Sequence, residues 1–280
     1  VAALQHCGRD RGHGRAARRR LIGSAVRNLL IVLLLPLLAY LALCALMYFG
    51  QRSQIYFPVR ESEAPGGTAM RFATDSADLK IWVVPRPGPR ALVYFGGNAE
   101  DVAGNIAAFA AAFPSHSLYL VNYRGYGGST GRPSEAALQA DSAAIFDHLK
   151  RQHAEISVMG RSLGSGVAVY LASIREIRRL VLVTPFDSLV NVASEHFRYL
   201  PVGWLMRDRY ESAKRASKVR APTLVLIAGA DEIIPRERSA ALVAAFPDSQ
   251  VQSEVLAGAT HNGLDQMPQY LERIGEFLAE

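Results

Sequence analysis

The chain has 280 residues, half of them hydrophobic, and a formal net charge of +6 at neutral pH. This length fits one large α/β domain with an additional segment, or two small domains. Seven arginines and one aspartate give residues 1–28 a charge of +6, so the remaining residues are neutral overall. A basic nucleic-acid-binding face is therefore not expected in the folded part of the protein.

An apolar run without a charged residue follows the basic segment: LLIVLLLPLLAYLALCALMYF, Leu29–Phe49. Its 21 residues suffice to cross a bilayer, which takes about 20 residues at a rise of about 1.5 Å each. A buried core helix and a cleaved signal peptide are the alternatives, but no small-residue cleavage site follows the run. The sequence therefore predicts a basic cytoplasmic tail over 1–28, a single-pass transmembrane signal anchor over 29–49, and a domain over 51–280 on the non-cytoplasmic side.

Short apolar runs alternate with helical segments beyond Thr68. The predicted strands are Leu79–Pro85, Ala91–Gly97, Ser117–Tyr123, Ile156–Gly160, Arg179–Pro185, Pro222–Gly229 and Val251–Gly258. The predicted helices are Asp101–Phe113, Ser134–Gln152, Gly164–Ile174, Arg236–Phe246 and Gln266–Leu278. Continuous apolar strands indicate a doubly wound, mostly parallel α/β sheet that is covered on both faces. The interval Asp187–Arg220 is too long for an ordinary connection, and we expect a small cap at about 187–220.

The residues from Gly160 to Gly164 read GRSLG and match the pattern G-x-S-x-G, with a predicted strand before it and a predicted helix after it. Glycines on both sides allow a sharp turn, which would project Ser162 from the carboxyl edge of the sheet, where such sheets bind ligands. The alternative interpretation is a turn that has a mechanical role only. Our hypothesis is that Ser162 is a nucleophile.

A serine hydroxyl requires a base, and the base requires a carboxylate that orients it. Asp231 follows one late strand and His261 follows the next, so the chain order is Ser, Asp, His. Because the strands are parallel, we expect Ser162, Asp231 and His261 at one edge of the sheet. Asp187 is the alternative acid and His196 the alternative base, and Asp231 could instead cap the helix that follows it.

The negative oxygen that develops during acyl transfer requires backbone N–H donors. Leu163, at the start of the predicted helix, supplies one candidate donor. The loop GGNAED supplies the other, from Asn98 or Gly97. Asn98 could also serve as an ordinary helix cap, which does not exclude the catalytic role.

Other sequence signatures are weak. The glycines of RGYGGSTG suggest a dinucleotide loop, but Thr130 stands where the third glycine is required. Neither a Walker A motif nor a zinc-binding pattern is present in the sequence. We therefore expect neither a cofactor nor a metal.

The chain resembles the α/β-hydrolase superfamily over about residues 55–280. The matching stretches are QRSQIYFP, GGNAED, NYRGYGGSTGRPSE, GRSLGSGVA, LPVGWLMRDRYESAKRASKVRAPTLVLIAGADEIIP and GATHNG. They are most similar to the membrane-anchored branch related to serine-aminopeptidase-type hydrolases and protein depalmitoylases. The resemblance implies Ser162 as nucleophile, Asp231 as acid and His261 as base. That branch usually has His-Gly-Asn where this chain has Gly-Gly-Asn, which affects the rigidity of the loop more than its chemistry.

The expected activity is hydrolysis of an ester or thioester of a small or lipid-like acyl substrate. The apolar stretch FRYLPVGWLM in the predicted cap and the neighbouring membrane anchor favour an acyl chain. An aminopeptidase-type amide hydrolase and a non-catalytic binding protein of the same fold are the alternatives. An aminopeptidase would need an acidic residue to hold a free amine, and the sequence does not identify one.

Overall fold

The computed structural model describes residues 10–247 and 250–280, and it divides after Gly50 into two units. Helix α1, Asp10–Ile55, forms the described part of the first unit and ends in the second. It contains the predicted span 29–49 and extends beyond it at both ends, while residues 1–9 of the predicted tail lie outside the described residues. Nearly all side chains of the apolar run are exposed. The helix is long and apolar enough to be a candidate membrane span. A signal sequence meets the same criteria of length and composition.

The second unit is built on one sheet. Its strands, in the described residues, are β1 (Thr68–Ala73), β2 (Asp78–Val84), β3 (Arg90–Phe95), β4 (Ser117–Val121), β5 (Glu155–Arg161), β6 (Leu180–Val183), β7 (Thr223–Ala228) and β8 (Val251–Leu256). Their order across the sheet is β1-β2-β4-β3-β5-β6-β7-β8. Strand β2 pairs antiparallel with β1 and with β4, and all the other pairings are parallel. This confirms the predicted doubly wound, mostly parallel sheet.

Helices connect the strands and cover the sheet. They are α2 (Ile106–Ala112), α3 (Glu135–Leu149), α4 (Leu163–Ile174), α5 (Leu189–His196), α6 (Val202–Leu205), α7 (Ser212–Ala216), α8 (Arg236–Val243) and α9 (Gln269–Ala279), with 3₁₀ turns at Val102–Asn105 and Leu264–Gln266. The segment Asp101–Phe113, predicted as one helix, is a 3₁₀ turn followed by α2. Three short helices, α5 to α7, occupy the interval that was predicted as a cap.

The core has two layers because alternate residues of each strand point to opposite faces of the sheet. In β3, Val93 and Phe95 pack in the layer that contains α3, α4 and α8. Leu92 and Tyr94 pack in the layer that contains α2 and α9. All four of these side chains are buried, which is why a continuous apolar run predicted this strand correctly.

The β1 strand was not predicted from the sequence. Its residues, TAMRFA, alternate between exposed and partly buried positions, and β1 pairs only with β2 at the edge of the sheet. A short half-exposed strand lacks the continuous apolar run that identified the central strands.

The strand order of the sheet reverses beside β5. The chain passes from β3 to its neighbour β4 and then returns to β5, which pairs with β3 on the other side. The loops that follow β3 and β5 therefore leave adjacent strand ends in opposite directions. In sheets of this kind, ligands bind at the point where the strand order reverses.

Candidate active site

Ser162 lies in a strained turn between β5 and α4. Its φ is 49° and its ψ is −116°, in the left-handed half of the backbone map, which non-glycine residues rarely adopt. The two flanking glycines are required by close backbone approach: a Cβ on Gly160 would overlap the Gly164 carbonyl, and a Cβ on Gly164 would overlap the Phe95 carbonyl. The strand, turn and helix predicted from GRSLG are therefore present.

The structure brings Ser162, His261 and Asp231 together. His261 Nε2 lies 3.0 Å from Ser162 Oγ. Its Nδ1 lies 2.8 Å from Asp231 Oδ2 and 3.0 Å from Oδ1. The side chains of His261 and Asp231 are only 5% and 3% exposed. This arrangement is a continuous hydrogen-bonded path from a buried carboxylate through an imidazole to a serine hydroxyl.

The loop after β7 holds the carboxylate of Asp231 in place. Asp231 Oδ1 accepts hydrogen bonds from the backbone N–H groups of Ile233, at 2.9 Å, and Ile234, at 2.7 Å. Asp231 therefore organises its own turn and also contacts the imidazole. It does not cap the following helix, α8, whose N-cap residue is Pro235 and which has no side-chain cap hydrogen bond. The backbone N–H of His261 donates to Glu232 Oε2 at 3.1 Å, which connects the two loops a second time.

The alternative acid and base are engaged elsewhere. The Asp187 carboxylate accepts hydrogen bonds from the Ser188 backbone and the Asn191 side chain, and it pairs with Arg238 at 3.1 Å. His196 is exposed at the end of α5, and its Nε2 lies 3.1 Å from the Ile233 carbonyl. The structure thus gives Asp187 a structural environment and places Asp231 beside His261.

The two candidate oxyanion donors of the GGNAED loop differ in the structure. The Gly97 N–H donates to Glu100 Oε2 at 2.6 Å and is thereby occupied. Asn98 follows it, at the carboxyl end of β3. Leu163 is the first residue of α4, where a helix has no carbonyl of its own to accept the N–H. The Gly97 N–H is therefore engaged within the protein, while Asn98 and Leu163 stay candidate donors.

Glu100 was missed by the sequence analysis and is the centre of a polar cluster behind this loop. Besides Gly97, its carboxylate accepts hydrogen bonds from Tyr94 Oη and Asn105 Nδ2, both at 2.6 Å. Arg161 Nη1 lies 3.7 Å from the Glu100 carboxylate, and both side chains are 12% exposed. Burial, reinforced by the Glu100 carboxylate, raises the pKa of Tyr94 well above its usual value, so the phenol stays a donor. Through these bonds, the cluster around Glu100 holds the GGNAED loop in place.

Arg161 extends this cluster to the base. Its Nη2 donates to the His261 carbonyl at 3.3 Å. Since Arg161 directly precedes Ser162, one side chain connects the loop after β3, the nucleophile turn and the loop that carries the imidazole. An acid three residues beyond Gly97 was the only sequence signal for this connection.

The glycine that replaces the family's usual histidine has a steric reason. A Cβ on Gly96 would lie 2.6 Å from Val102 Cγ1 and 3.4 Å from Glu100 Cδ. Such a contact with Val102 is closer than real Cβ atoms allow, so a larger residue would require the neighbouring side chains to move.

The segment Gln51–Phe57, here called the linker segment, contacts the same loop. Asn98 Nδ2 donates to the Ile55 carbonyl at 2.6 Å. Asn98 Oδ1 accepts from the Phe57 backbone at 2.9 Å and from Tyr126 Oη at 2.8 Å. The Asn98 side chain therefore holds the loop to the linker segment and leaves its backbone N–H for another acceptor.

The linker segment also contacts the region predicted as a cap. Arg52 forms a two-point pair with Asp208, at 3.0 and 3.2 Å. Tyr56 Oη lies 3.1 Å from Asp208 Oδ2 and 2.9 Å from Tyr210 Oη, and all three of these side chains are buried. Within the second unit, one short segment thus contacts both the loop after β3 and the interval between α6 and α7.

Across residues 10–247 and 250–280 we find no group of three or more His, Cys, Asp or Glu side chains arranged to hold a metal ion. The polar side chains that meet at Ser162 instead form the hydrogen-bonded path from Asp231 through His261 to Ser162.

Comparison with known proteins identifies the family. Residues 118–269 match the family model described as Serine hydrolase (FSH1). An uncharacterised protein of Mycobacterium tuberculosis is 36% identical over 268 residues, covering 88% of this chain and 95% of that protein. The α/β hydrolase domain-containing protein 17C of Homo sapiens is 30% identical over 241 residues, covering 83% of this chain and 71% of the relative.

Solved structures show the same fold. The Pyrococcus furiosus esterase Pf2001 is 18% identical with a TM-score of 0.66, covering 80% of this chain and 98% of that one. A hydrolase from Pseudomonas aeruginosa is 18% identical with a TM-score of 0.61, covering 76% and 99%. The chain therefore has the α/β-hydrolase fold and belongs to the FSH1 serine hydrolase family.

Proposed function

We propose that the protein is a serine hydrolase that cleaves an ester or thioester of an acyl substrate through Ser162, His261 and Asp231. The observation that carries this proposal is the continuous hydrogen-bonded path from Asp231 through His261 to Ser162, which lies in a strained turn after β5. A serine that has only a mechanical role in a turn needs neither the imidazole nor the buried carboxylate.

The first half of the proposed reaction forms an acyl-enzyme. His261 Nε2 takes the proton of Ser162 Oγ as that oxygen attacks the acyl carbonyl carbon, and Asp231 stabilises the imidazolium. The tetrahedral intermediate then expels the alcohol or thiol, which leaves with the proton from His261. In the second half, water loses a proton to His261 and attacks the acyl carbon, and Ser162 is regenerated.

The negative oxygen of each tetrahedral intermediate is assigned to the N–H groups of Leu163 and Asn98. The bond between Gly97 and Glu100 supports this assignment because it occupies the alternative donor. One such donor typically contributes about 10²–10³ in rate, so the position of this loop has a large effect on turnover.

Exposed apolar side chains beside the site favour an acyl substrate. Phe197 and Ile233 are 44% and 42% exposed, and the contact between His196 and the Ile233 carbonyl joins the end of α5 to the Asp231 loop. Phe57 is also exposed, and its backbone binds Asn98. Apolar surface with a few polar groups that fix the reacting atoms is typical of a site for a small apolar ligand.

We further propose that residues 29–49 anchor the protein in a membrane as a single span, with residues 51–280 on the non-cytoplasmic side. The exposed apolar side chains of α1 and the arginine-rich segment before them support this arrangement. The membrane and an acyl substrate are therefore the partners that we propose, and we propose no nucleic acid.

The experiment compares the full chain in detergent with its Ser162→Ala variant, using a fluorophosphonate probe and esters of increasing acyl length. Ser173→Ala is the matched control, because Ser173 lies on α4 and donates to the Tyr170 carbonyl away from the turn. We expect Ser162→Ala to abolish labelling and to lower kcat/KM by several orders of magnitude. Each added CH₂ contributes about 0.8 kcal/mol, so kcat/KM should rise about three- to fourfold per methylene until the site is full.

Two results would contradict parts of this proposal separately. Normal turnover by a folded Ser162→Ala protein would exclude the proposed nucleophile. A flat acyl series, or faster cleavage of aminoacyl amides, would exclude the acyl preference and leave the nucleophile in place.

A further inference from the structure

We propose that the cap tip, defined as Phe197–Leu205, docks in the headgroup region of the bilayer that the anchor crosses, with Trp204 inserted at the interface. This inference rests on the proposed membrane anchor. It adds a second membrane contact, made by the catalytic unit itself, next to the site that receives the acyl substrate.

Two large aromatic side chains of the cap tip are almost fully exposed. Trp204 and Tyr199 are each 92% exposed. Val202, in the same short helix as Trp204, is buried, so α6 has one face packed on the protein and the other directed outward. Tryptophan is highly buried on average in soluble proteins, and an outward-facing aromatic patch marks an interaction surface.

Within the second unit, the linker segment binds the backbone at the end of the cap tip. Gln51 Nε2 donates to the Leu205 carbonyl at 3.1 Å, and Gln51 Oε1 accepts from the Arg207 N–H at 2.7 Å. One glutamine side chain thereby binds the backbone on both sides of Met206. The Arg52–Asp208 pair adds a second connection at the next residue.

Chain connectivity alone places this connection at the membrane surface. Gln51 is the second residue after Phe49, where the apolar run ends. Two residues span at most about 7 Å, and the polar region on each side of the hydrocarbon core is about 5–8 Å thick. If 29–49 spans the bilayer, Gln51 lies in or just above the headgroups. Leu205 is hydrogen-bonded to Gln51, and Trp204 directly precedes Leu205.

The side chains of the cap tip suit lipid headgroups. Tryptophan and tyrosine are enriched at membrane interfaces because an apolar ring carries a polar N–H or O–H. Arg198, next to Tyr199, is exposed and can donate to phosphate oxygens. The cap tip begins where α5 ends, and the end of α5 contacts the Asp231 loop, so docking of the cap tip would bring a segment next to the catalytic site to the bilayer surface.

The chain has two tryptophans, which makes a direct test possible. Trp82 is 8% exposed in β2, whereas Trp204 is 92% exposed. The full chain and its Trp204→Phe variant are placed, one chain per disc, in lipid nanodiscs whose acyl chains carry bromine either near the headgroups or near the methyl end. The emission of the full chain minus that of the Trp204→Phe variant gives the Trp204 component. The emission of the variant comes from Trp82, which is the matched control.

We expect the Trp204 component to be blue-shifted and at least halved by bromine near the headgroups, more strongly than by deep bromine, with Trp82 nearly unchanged. We also expect Trp204→Glu to lower turnover of a long-chain ester in vesicles at least fivefold more than turnover of a short water-soluble ester. A Trp204 component that is quenched by aqueous iodide and not by brominated lipid would overturn the proposal. So would a blue shift that appears only with several chains per disc, because that shift would come from a second copy.

The inference and the proposed anchor can fail separately. A chain that does not enter nanodiscs at all contradicts the anchor. A chain that enters them with Trp204 in water contradicts only the docking of the cap tip.

Discussion

Asp231 and Asp187 have different surroundings, and this difference predicts different consequences of losing each charge. Asp231 faces His261 Nδ1, whereas Asp187 pairs with Arg238 and Asn191. We expect Asp231→Asn to lower kcat/KM by about 10⁴, because an amide neither stabilises the imidazolium nor enforces the required tautomer. Asp187→Asn should lower the melting temperature and change kcat/KM by less than about tenfold. Steady-state kinetics and thermal unfolding of both variants check this, and the reverse ranking of kcat/KM would identify Asp187 as the acid.

Glu100 is expected to act as a positioning residue through the Gly97 N–H. Glu100→Ala releases Gly97 and leaves Arg161 without its carboxylate, so the donors of Asn98 and Leu163 lose their alignment. We expect kcat to fall about 10- to 100-fold, with KM little changed; this is less than the about 10²–10³ for complete loss of one oxyanion donor, because the N–H groups are displaced and not removed. Glu100→Gln keeps an oxygen acceptor for Gly97 and should retain most of the rate.

The affinity for a trifluoromethyl ketone, whose adduct carries the negative oxygen, measures this effect directly. It should fall in parallel with kcat in Glu100→Ala and recover in Glu100→Gln. A lower melting temperature without any loss of this affinity would show that Glu100 only stabilises the fold.

The linker segment is an element whose contribution to stability can be isolated at Tyr56. Its hydroxyl bridges Asp208 and Tyr210 in a buried position. Tyr56→Phe removes that bridge. Asp208 keeps its pair with Arg52, but the buried Tyr210 hydroxyl loses its side-chain partner, which costs about 1–3 kcal/mol. At about 2–4 °C per kcal/mol for a domain of this size, the melting temperature should fall by about 2–12 °C. Tyr170→Phe on α4, where the ring stacks on Arg215, is the matched control, and an equal shift in both variants would contradict the prediction.

The elements that could be predicted from the sequence are those with a local signature. The central strands β3 to β7 are apolar runs buried on both faces, and GRSLG joined one of them to a helix. Edge strand β1 lacked this signature because one of its faces is exposed to solvent and the other is only partly buried. Contacts between residues far apart in the sequence have no local signature. Tyr56 and Asp208 are 152 residues apart, and no pattern of spacing indicates such a pair.

The same distinction holds within the site. Ser162, Asp231 and His261 could be identified because strand ends on one edge of a parallel sheet converge. The role of Glu100 could not be predicted from the sequence, because it depends on how a three-residue turn directs the Glu100 carboxylate at the Gly97 N–H.

At the scale of the whole molecule, the proposed topology predicts where the carboxyl terminus lies. A phosphatase reporter that is active only outside the cytoplasm, fused after Glu280, should be active on the full chain. Replacing Arg18, Arg19 and Arg20 by neutral residues should weaken this orientation, because basic residues keep a flanking segment cytoplasmic. Three neutralised arginines in the catalytic unit serve as the control. An inactive reporter on the intact chain would contradict the topology, and release of a soluble catalytic unit would indicate cleavage after the apolar run.

The packing around Gly96 makes the chemistry of the oxyanion loop depend on two positions at once. A side chain at position 96 meets Val102 and the Glu100 carboxylate, so Gly96→His cannot be accommodated while both remain as they are. Conversely, a shorter residue at position 100 would remove the hydrogen bond from the Gly97 N–H that holds the GGNAED loop. Positions 96 and 100 are therefore coupled through the space and the hydrogen bond that they share. We expect the effects of substitutions at these two positions on turnover to be non-additive, as is usual for residues in contact.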